Sequence, residues 1–261
     1  ISYRLVGSEM CIRDRSLLIP LLACIACAVI VSVTAVSVRE KQNENLEYDK
    51  KTKILLAAGI IAENIDEEFT NITTLYIDFK NNELVEMEDS YDPIKATFNQ
   101  NTSTLVPKEK DIAILKRREN IGPVYLWLND KNSIDKVVVP IRGYGLWGTL
   151  YGYLSLDSDL NTVRGIEFYD HKETPGLGAE VENQDWKDLW EGKLLYGSHG
   201  GVQLKVVKGS AKGKYQINGL SGATLTSNGV SNMINYWLGS DGYGPALKKI
   251  KSLYGPQVAM Q

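Results

Sequence analysis

The chain has few of the side chains from which metal centres are made. Its 261 residues include three cysteines and two histidines. Cys11 stands alone, and Cys24 and Cys27 form a C-x-x-C pair inside an apolar run, where no second pair completes a four-ligand cage. We therefore interpret Cys24 and Cys27 as small residues for helix packing in lipid, and we expect no metal site.

An excess of positive charge and the common catalytic signatures are also missing. Lys and Arg total 29 against 32 Asp and Glu, a net charge of −3, whereas nucleic-acid binding requires a basic surface. His171 and His199 have no Ser or Cys nearby in a known nucleophile signature, and no H-E-x-x-H or Walker motif occurs. The sequence therefore predicts neither a nucleic-acid-binding protein nor a hydrolase, and no residue is predicted to be catalytic.

One segment without charge is long enough to cross a membrane. Residues 16–38, SLLIPLLACIACAVIVSVTAVSV, contain no charged side chain. About 20 helical residues cross the hydrocarbon core of a bilayer, whereas the apolar region of a signal peptide usually has only about 7–15. The length predicts an uncleaved transmembrane helix at 16–38. The alternative is a signal peptide, for which Ala35 supplies a small residue near the end.

Residues 1–15, ISYRLVGSEMCIRDR, share no pattern with the sequence that follows. Because MCIRDR resembles a translated sequencing-adapter fragment, we expect this segment to be non-native and the native start to be missing. The positive-inside rule compares Lys and Arg on both flanks of a span. Membrane orientation therefore does not follow from charge here.

Residues 39–261 are predicted to form a soluble α+β domain. Helical spacing of apolar residues extends from 39 to about 76, and residues 82–120 are charged and irregular. Runs of β-branched and aromatic residues predict strands at 124–129, 136–142, 149–157, 163–170 and 202–208. Further helices are predicted at 183–195, from about Thr226 onward, and at 245–253. Neighbouring strands with few helices between them favour a mainly antiparallel sheet with flanking helices.

Two glycine-rich segments lie beside the predicted strands. Residues 143–148, GYGLWG, match the G-x-G-x-x-G fingerprint, but that fingerprint must open a helix, and here the strand-like TLYGYLSL follows. They predict a glycine-rich hairpin and no NAD site. Residues 171–178, HKETPGLG, predict a Pro-Gly turn. In the functional alternative, Gly176 and Gly178 allow the backbone to approach a flat ring.

A third segment, GLSGATLTSNG at 219–229, surrounds a Gly-Ala pair with the hydroxyls of Ser221, Thr224, Thr226 and Ser227. Helix N-capping is the simpler explanation, since Ser and Thr oxygens accept from free backbone N–H groups. A phosphate on Thr224 would lie at the same N–H-rich, positive helix end. Small neighbours at 222 and 223 would leave that hydroxyl open to a modifying enzyme.

The stretch SGATLTSNGV closely resembles the covalent flavin-attachment motif of the FMN-binding domain family, in which FMN is joined through its phosphate to the last Thr of S/T-G-A-T. The apolar anchor, GYGLWGTLYGYL and HKETPGLGAE extend this resemblance over roughly residues 16–254. Together they resemble the family of C subunits of sodium-translocating NADH:quinone reductases. That family usually has Asp, which is thought to help the flavin transferase, at the position where this chain has Asn218.

The resemblance implies a membrane-anchored flavoprotein that relays single electrons through FMN linked covalently to Thr224. It implies that NADH oxidation, quinone reduction and sodium transport lie on partner subunits, and that a flavin transferase attaches the FMN. It also implies an inner-membrane protein with its soluble part in the periplasm, and Glu173, Thr174 and Leu177 beside the isoalloxazine ring. The full set of expected cofactor contacts is Glu173, Thr174, Gly176, Leu177, Gly178, Ser221, Gly222, Ala223, Thr224, Leu225 and Thr226.

Two other functions stay open at this point. The G subunit of the Rnf ferredoxin:NAD complex shares the anchor and the attachment motif, although the insertion at 82–120 favours the quinone-reductase family. A membrane-anchored binding module with an ordinary N-capping loop is the more distant alternative. Flavin absorbance in the purified protein would exclude the binding module.

Overall fold

The computed structural model describes residues 2–88 and 91–255, with side chains described for residues 16–88 and 91–255. The chain divides into two compact units, Ile1–Asp49 and Lys50–Gln261. The side chains of residues 1–15, which we interpret as non-native, lie outside the part of the chain whose side chains the structure describes.

The first unit is helical throughout its described residues. Helix α1 spans Ser2–Ala57. Its segment Ser16–Ala57 contains an 18-residue window of mean hydropathy 2.7, none of it buried, and it is the one helix in the described part of the chain long and apolar enough to cross a membrane. The predicted span 16–38 lies inside this helix, which continues without a break past Val38.

Helix α1 ends in a motif that the sequence did not reveal. The N–H of Gly59 donates to the carbonyl of Leu56, and that of Ile60 donates to the carbonyl of Leu55, both at 2.9 Å. Gly59 has φ +71°. This is the Schellman arrangement, which needs a left-handed residue after the last helical turn. The expected helix up to about residue 76 is therefore wrong beyond Ala57, and that region contains α2 (Ile65–Phe69) and β1 (Ile72–Asp78).

The second unit is organised around a six-stranded antiparallel sheet with strand order β2-β1-β5-β6-β7-β8. The remaining strands of this sheet are β2 (Glu83–Val85), β5 (Ile121–Leu128), β6 (Ile134–Tyr144), β7 (Thr149–Asp157) and β8 (Val163–Asp170). Two small pairs lie outside it, antiparallel β3 (Ser103–Leu105) with β4 (Arg117–Glu119) and parallel β9 (Lys205–Val207) with β10 (Gln216–Asn218). The predicted α+β fold with a mainly antiparallel sheet is confirmed.

The other helices are α3 (Pro93–Ala96), α4 (Gln184–Asp188), α5 (Thr224–Leu238) and α6 (Gly244–Tyr254), with a 3₁₀ helix at Gly178–Glu182. Helix α4 is shorter than the predicted 183–195. The reason is that the backbone at 193–195 hydrogen-bonds to residues 161–163, so this segment runs beside the start of β8 instead of continuing the helix.

Both faces of the sheet are covered, as the alternation of strand β6 shows. Val137 and Val139 belong to the larger core, which includes the apolar face of α5 at Val230, Met233, Ile234 and Trp237. Val138 faces the other way and belongs to a second cluster with Ile54 and Leu55 from the end of α1. Successive side chains of a strand point to opposite faces. Helix α5 therefore lies along the sheet, with its first turn near the β6–β7 turn.

Candidate functional site

The glycine-rich segment 143–148 forms the turn between β6 and β7, which confirms the predicted hairpin. The N–H of Gly145 donates to the carbonyl of Gly148 at 2.8 Å. We call residues 145–148 the hairpin tip. Its two large apolar side chains are exposed, Leu146 at 41% and Trp147 at 63%.

The side chain of Glu173 lies behind the hairpin tip and contacts two separate segments. Its Oε1 accepts from the N–H groups of Leu146, at 3.0 Å, and Trp147, at 2.9 Å. Its Oε2 accepts from the hydroxyl of Thr226 at 2.5 Å. We call these four residues the Glu173 bridge. The bridge joins the hairpin tip, the loop at 171–178 and the first turn of α5.

Glu173 is buried but ionised. Burial by itself raises the pKa of the carboxyl group, but hydrogen bonds from Thr226 and from the N–H groups of Trp147, Leu146 and Gly148 lower it more, so the net pKa lies below the ordinary value. Hydrogen bonds to the charged form are one of the three causes that shift a carboxyl pKa. The site therefore contains a fixed negative charge that is satisfied by N–H and O–H donors.

Two glycines make room for this carboxylate. A Cβ at Gly145 would lie 2.6 Å from Glu173 Oε1, and a Cβ at Gly178 would lie 2.5 Å from Oε2. Both distances are far shorter than real contacts, so any other residue at either position would displace the carboxylate. Gly178 therefore serves the bridge, whereas Gly176 has φ +74° and open space around its Cα, so its own requirement is the turn.

Helix α5 begins at Thr224, two residues before the expected start near Thr226, and it has no side-chain cap. Ala223 occupies the N-cap position without a side-chain hydrogen bond. The nearby hydroxyls are used elsewhere, since Thr226 donates to Glu173 and Ser227 Oγ accepts from the N–H of Leu220 at 3.1 Å. The capping explanation is therefore wrong for this helix.

Thr224, the first residue of α5, is exposed. Within the described part of the chain, neither Thr224 nor Ser221 makes a side-chain hydrogen bond. Gly222 precedes Thr224 with φ +70°, so the chain turns sharply before the helix. The first N–H groups of an α-helix have no partner inside the helix, so this start offers both a free hydroxyl and free N–H donors.

The loop at 171–178 lies against the same helix start. A Cβ at Gly222 would be 2.9 Å from Leu177 Cδ2, and the carbonyl of Thr174 accepts from the N–H groups of Leu177 and Ala179, both at 3.1 Å. Leu177 is 44% exposed, and Leu225 is 58% exposed. The structure thus brings the three predicted segments together, and each of them carries an exposed large apolar side chain.

Sequence reasoning missed Leu146 and Trp147, which the resemblance did not place at the site. The signal for them was the pair of large apolar residues at the predicted hairpin turn, a position that usually carries polar residues. Asn218, at the end of β10, accepts from the N–H of Ala211 through its side-chain oxygen at 2.6 Å, and its carbonyl accepts from Trp186 Nε1 at 2.8 Å. An aspartate could accept the same bond from Ala211.

The arrangement suits a ligand with an anionic group and a flat apolar ring. Free N–H donors and the positive end of a helix dipole favour phosphate at the start of α5. The exposed apolar side chains of Leu146, Trp147, Leu177 and Leu225 offer the contact area that an aromatic ring requires. The residues present therefore fit FMN.

Comparison with known proteins points to the same segments. The model of the FMN-binding domain family matches residues 145–239, which include the hairpin tip, the loop and the start of α5. The chain is 42% identical to the C subunit of the Na(+)-translocating NADH-quinone reductase of Pseudomonas aeruginosa, over 91% of this chain and 95% of that protein. It is 40% identical to the protein of the same name in Yersinia pestis, over 91% and 92%.

Two solved structures are similar along most of their length. NqrC of Shewanella oneidensis aligns with a TM-score of 0.74 at 31% identity, covering 82% of this chain and 99% of that one. The C subunit of the Na(+)-translocating NADH-quinone reductase of Parabacteroides distasonis aligns with a TM-score of 0.63 at 29% identity, covering 80% and 96%. The similarities in sequence and in fold therefore point to the same group of proteins.

Proposed function

The chain belongs to the family of C subunits of Na(+)-translocating NADH-quinone reductases, and from this premise we propose that it carries FMN as a phosphoester on Thr224 and relays single electrons within that complex. Family membership also decides between the two complexes considered above, in favour of the quinone reductase. NADH oxidation, quinone reduction and the sodium path are assigned to other subunits. Bound FMN supplies the one-electron chemistry, and the protein supplies attachment, orientation and electrostatics.

The observation that carries this proposal is the uncapped start of α5. Thr224, the first residue of the helix, is exposed, its hydroxyl makes no hydrogen bond within the described residues, and Ala223 leaves the adjacent N–H groups without a side-chain acceptor. A phosphate joined to the Thr224 oxygen lies where those N–H groups can donate to it. A phosphate attached here would therefore accept from the first N–H groups of α5, which make no hydrogen bond to the side chain of Ser221 or Ala223.

The other residues of the site have separate roles in this proposal. Leu146, Trp147, Leu177 and Leu225 provide apolar surface to the ring and exclude water from it. Gly222 and Gly176 supply positive-φ turns that set the two loops at the site. Thr226 and Gly178 belong with Glu173 behind the site. The hydroxyl of Thr226 bonds to that carboxylate and the Cα of Gly178 lies against it, so these two residues support the site without facing the ring.

The proposal places the chain on a membrane. Residues 16–38 are assigned as the span and residues 39–261 as the flavin domain on the periplasmic side, where a flavin transferase completes maturation. The apolar, exposed surface of this part of α1 supports the assignment. A chain that begins at Arg39 is expected to be soluble without detergent and to accept flavin. If it aggregates while the full chain in detergent does not, the boundary at Val38 is wrong.

The attachment site is tested by producing the full chain together with a flavin transferase and examining it on a denaturing gel. Denaturation removes any flavin that is held only by contacts, so a fluorescent band reports a covalent bond. Thr224→Ala is expected to abolish the band completely. Thr226→Ala is the matched control, because it removes a hydroxyl two residues away and is expected to leave the band.

Either of two results would contradict the assignment. The first is a fluorescent band in Thr224→Ala at the intensity of the unchanged protein. The second is an unchanged protein that never becomes fluorescent with a transferase that labels other substrates. The folded state of Thr224→Ala is checked by circular dichroism, so that a dark band reports the missing hydroxyl and not a missing fold.

A further inference from the structure

We infer that Glu173 is the positioning residue of the flavin site: its carboxylate holds the hairpin tip against the helical turn that carries Thr224. This inference rests on the proposed function, because it concerns a flavin attached at Thr224. It differs from the expectation that Glu173 lies beside the ring. In the structure the side chain is 6% exposed, and its hydrogen bonds go to protein donors.

The two oxygens of the carboxylate divide their hydrogen bonds between two elements. Oε1 holds the backbone of Leu146 and Trp147, and Oε2 holds the hydroxyl of Thr226. Thr226 and Thr224 lie in the same first turn of α5. A single carboxyl group therefore fixes the hairpin tip, with its exposed apolar side chains, relative to the residue that is proposed to carry the flavin.

The surroundings of Glu173 indicate that its partners are these segments and not a counter-ion. In the part of the chain with described side chains, no lysine or arginine forms an ion pair with Glu173. Buried charges are costly unless they are paired or fully hydrogen-bonded. The glycines at 145 and 178 leave the space that the carboxylate needs. The N–H of Glu173 also donates to His171 Nδ1 at 3.2 Å, which orients the start of its loop.

Loss of the Glu173 bridge should therefore loosen the ring without touching its covalent bond. The hairpin tip would lose two backbone hydrogen bonds, and the first turn of α5 would lose its tie to the loop at 171–178. A flavin joined through its phosphate to Thr224 would remain attached, but the apolar side chains at 146 and 147 would no longer be held beside it. Binding sites depend on such supporting contacts to stay within productive geometry.

The test uses the full chain in detergent, produced with a flavin transferase, and measures quenching of the flavin fluorescence by acrylamide. Acrylamide is neutral, so removal of a negative charge does not by itself change its access. Glu173→Leu keeps the volume and removes every hydrogen bond, and it is expected to raise the quenching constant toward that of the unfolded protein. Glu173→Gln is expected to restore a low constant, because its amide oxygen can accept from both N–H groups and its amide nitrogen can donate to Thr226.

Glu191→Leu serves as the matched control, since Glu191 is exposed and its side chain makes no hydrogen bond within the described residues. It should leave the quenching constant unchanged. Thr226→Val removes the α5 side of the bridge at nearly constant volume, and it is expected to raise the constant in the same direction as Glu173→Leu but by less. It keeps the inference testable if Glu173→Leu does not fold.

The denaturing gel distinguishes a failure of the proposed function from a failure of the inference about Glu173. If the unchanged protein shows no fluorescent band, the proposed function fails. If all variants are equally fluorescent on the gel, but Glu173→Leu or Thr226→Val is quenched no more than the unchanged protein, the attachment stands and the inference is overturned. The inference also fails if Glu173→Gln is quenched as strongly as Glu173→Leu, because hydrogen-bond geometry would then not order the ring.

Discussion

Helix α5 and the three short helices α2, α3 and α4 begin in opposite ways. Each short helix is capped by an Asn or Asp side chain, namely Asn64, Asp92 and Asn183, whose oxygen accepts from a backbone N–H of the first turn. Helix α5 is 15 residues long, has hydroxyl residues on both sides of its start, and uses none of them as a cap. Helix α6 also lacks a side-chain cap, but Pro245 in its first turn has no N–H to satisfy.

The caps of the short helices serve stability, whereas the uncapped start of α5 leaves donors available for a ligand. Four or five residues form a marginal helix, so a cap contributes a large share of what holds such a helix in place. The longer α5 is held by its buried face along the sheet, at residues such as Val230, Met233 and Trp237. It can therefore leave its N-terminal donors open, which is what a phosphate attached there requires.

The largest expected effect comes from removing the hydroxyl in the first turn of α5 that donates to the carboxylate of Glu173. Thr226→Val deletes a hydrogen bond to an ionised group, and such bonds contribute roughly 1.5–3 kcal/mol. Urea denaturation at neutral pH is expected to show a loss of that order. A loss below about 0.5 kcal/mol would mean that the bridge contributes little to stability.

The same variant has a predicted dependence on pH. The pKa of Glu173 is lowered in the folded protein, because the hydrogen bonds from Thr226 and the hairpin tip outweigh the effect of burial. The stability it contributes is present above the unfolded pKa, about 4.3, and is lost as pH falls through the lower folded pKa. The difference between Thr226→Val and the unchanged protein should therefore shrink in acid. A difference that is constant with pH would contradict this.

A middle-sized effect is expected from removing a cap on a short helix. Asn183→Ala deletes the acceptor for the N–H of Asp185, at 3.0 Å, and should cost about 0.5–2 kcal/mol in urea denaturation. The flavin band on a denaturing gel should be unaffected. As a control, Asn228→Ala removes an exposed amide from α5 itself and should change stability little. If the flavin band is lost in Asn183→Ala, the separation of caps from the site is wrong.

The smallest effect is expected when α5 is given the cap that it lacks. Ala223→Ser places an acceptor at the N-cap, which should stabilise the unmodified protein by about 0.5 kcal/mol. In protein that already carries flavin the gain should disappear, because the phosphate occupies the same donors. Urea denaturation of both forms measures this difference. An equal gain in both forms would show that the phosphate does not use the N–H groups of this turn.

Local sequence was sufficient for the parts of the fold that depend on neighbouring residues. The β-branched and aromatic residues at 149–157 and 163–170 predicted β7 and β8 with the bounds that the structure shows, and the glycines at 143–148 predicted the turn between β6 and β7. The prediction of Thr224 as the attachment position came from the resemblance. Composition and spacing favoured capping instead, and the structure contradicts that explanation.

The hydrogen-bond partners within the site could not be predicted from local sequence. Glu173 contacts Leu146, 27 residues earlier, and Thr226, 53 residues later, and nothing in its own segment indicates which donors will reach it. The capping explanation failed for a related reason. The helix begins at Thr224, so Thr226 already lies inside the first turn and its hydroxyl is free to bond to a distant carboxylate.

These sequence separations also bear on the order in which the molecule folds. Strands β5 to β8 pair each with the next along the chain, so the centre of the sheet closes only short loops. The Glu173 bridge needs segments that lie much farther apart, and closing longer loops costs more chain entropy before any contact forms. We therefore expect the bridge to form after the sheet. Attachment at Thr224, which does not require the bridge, can then precede the fixing of the hairpin tip.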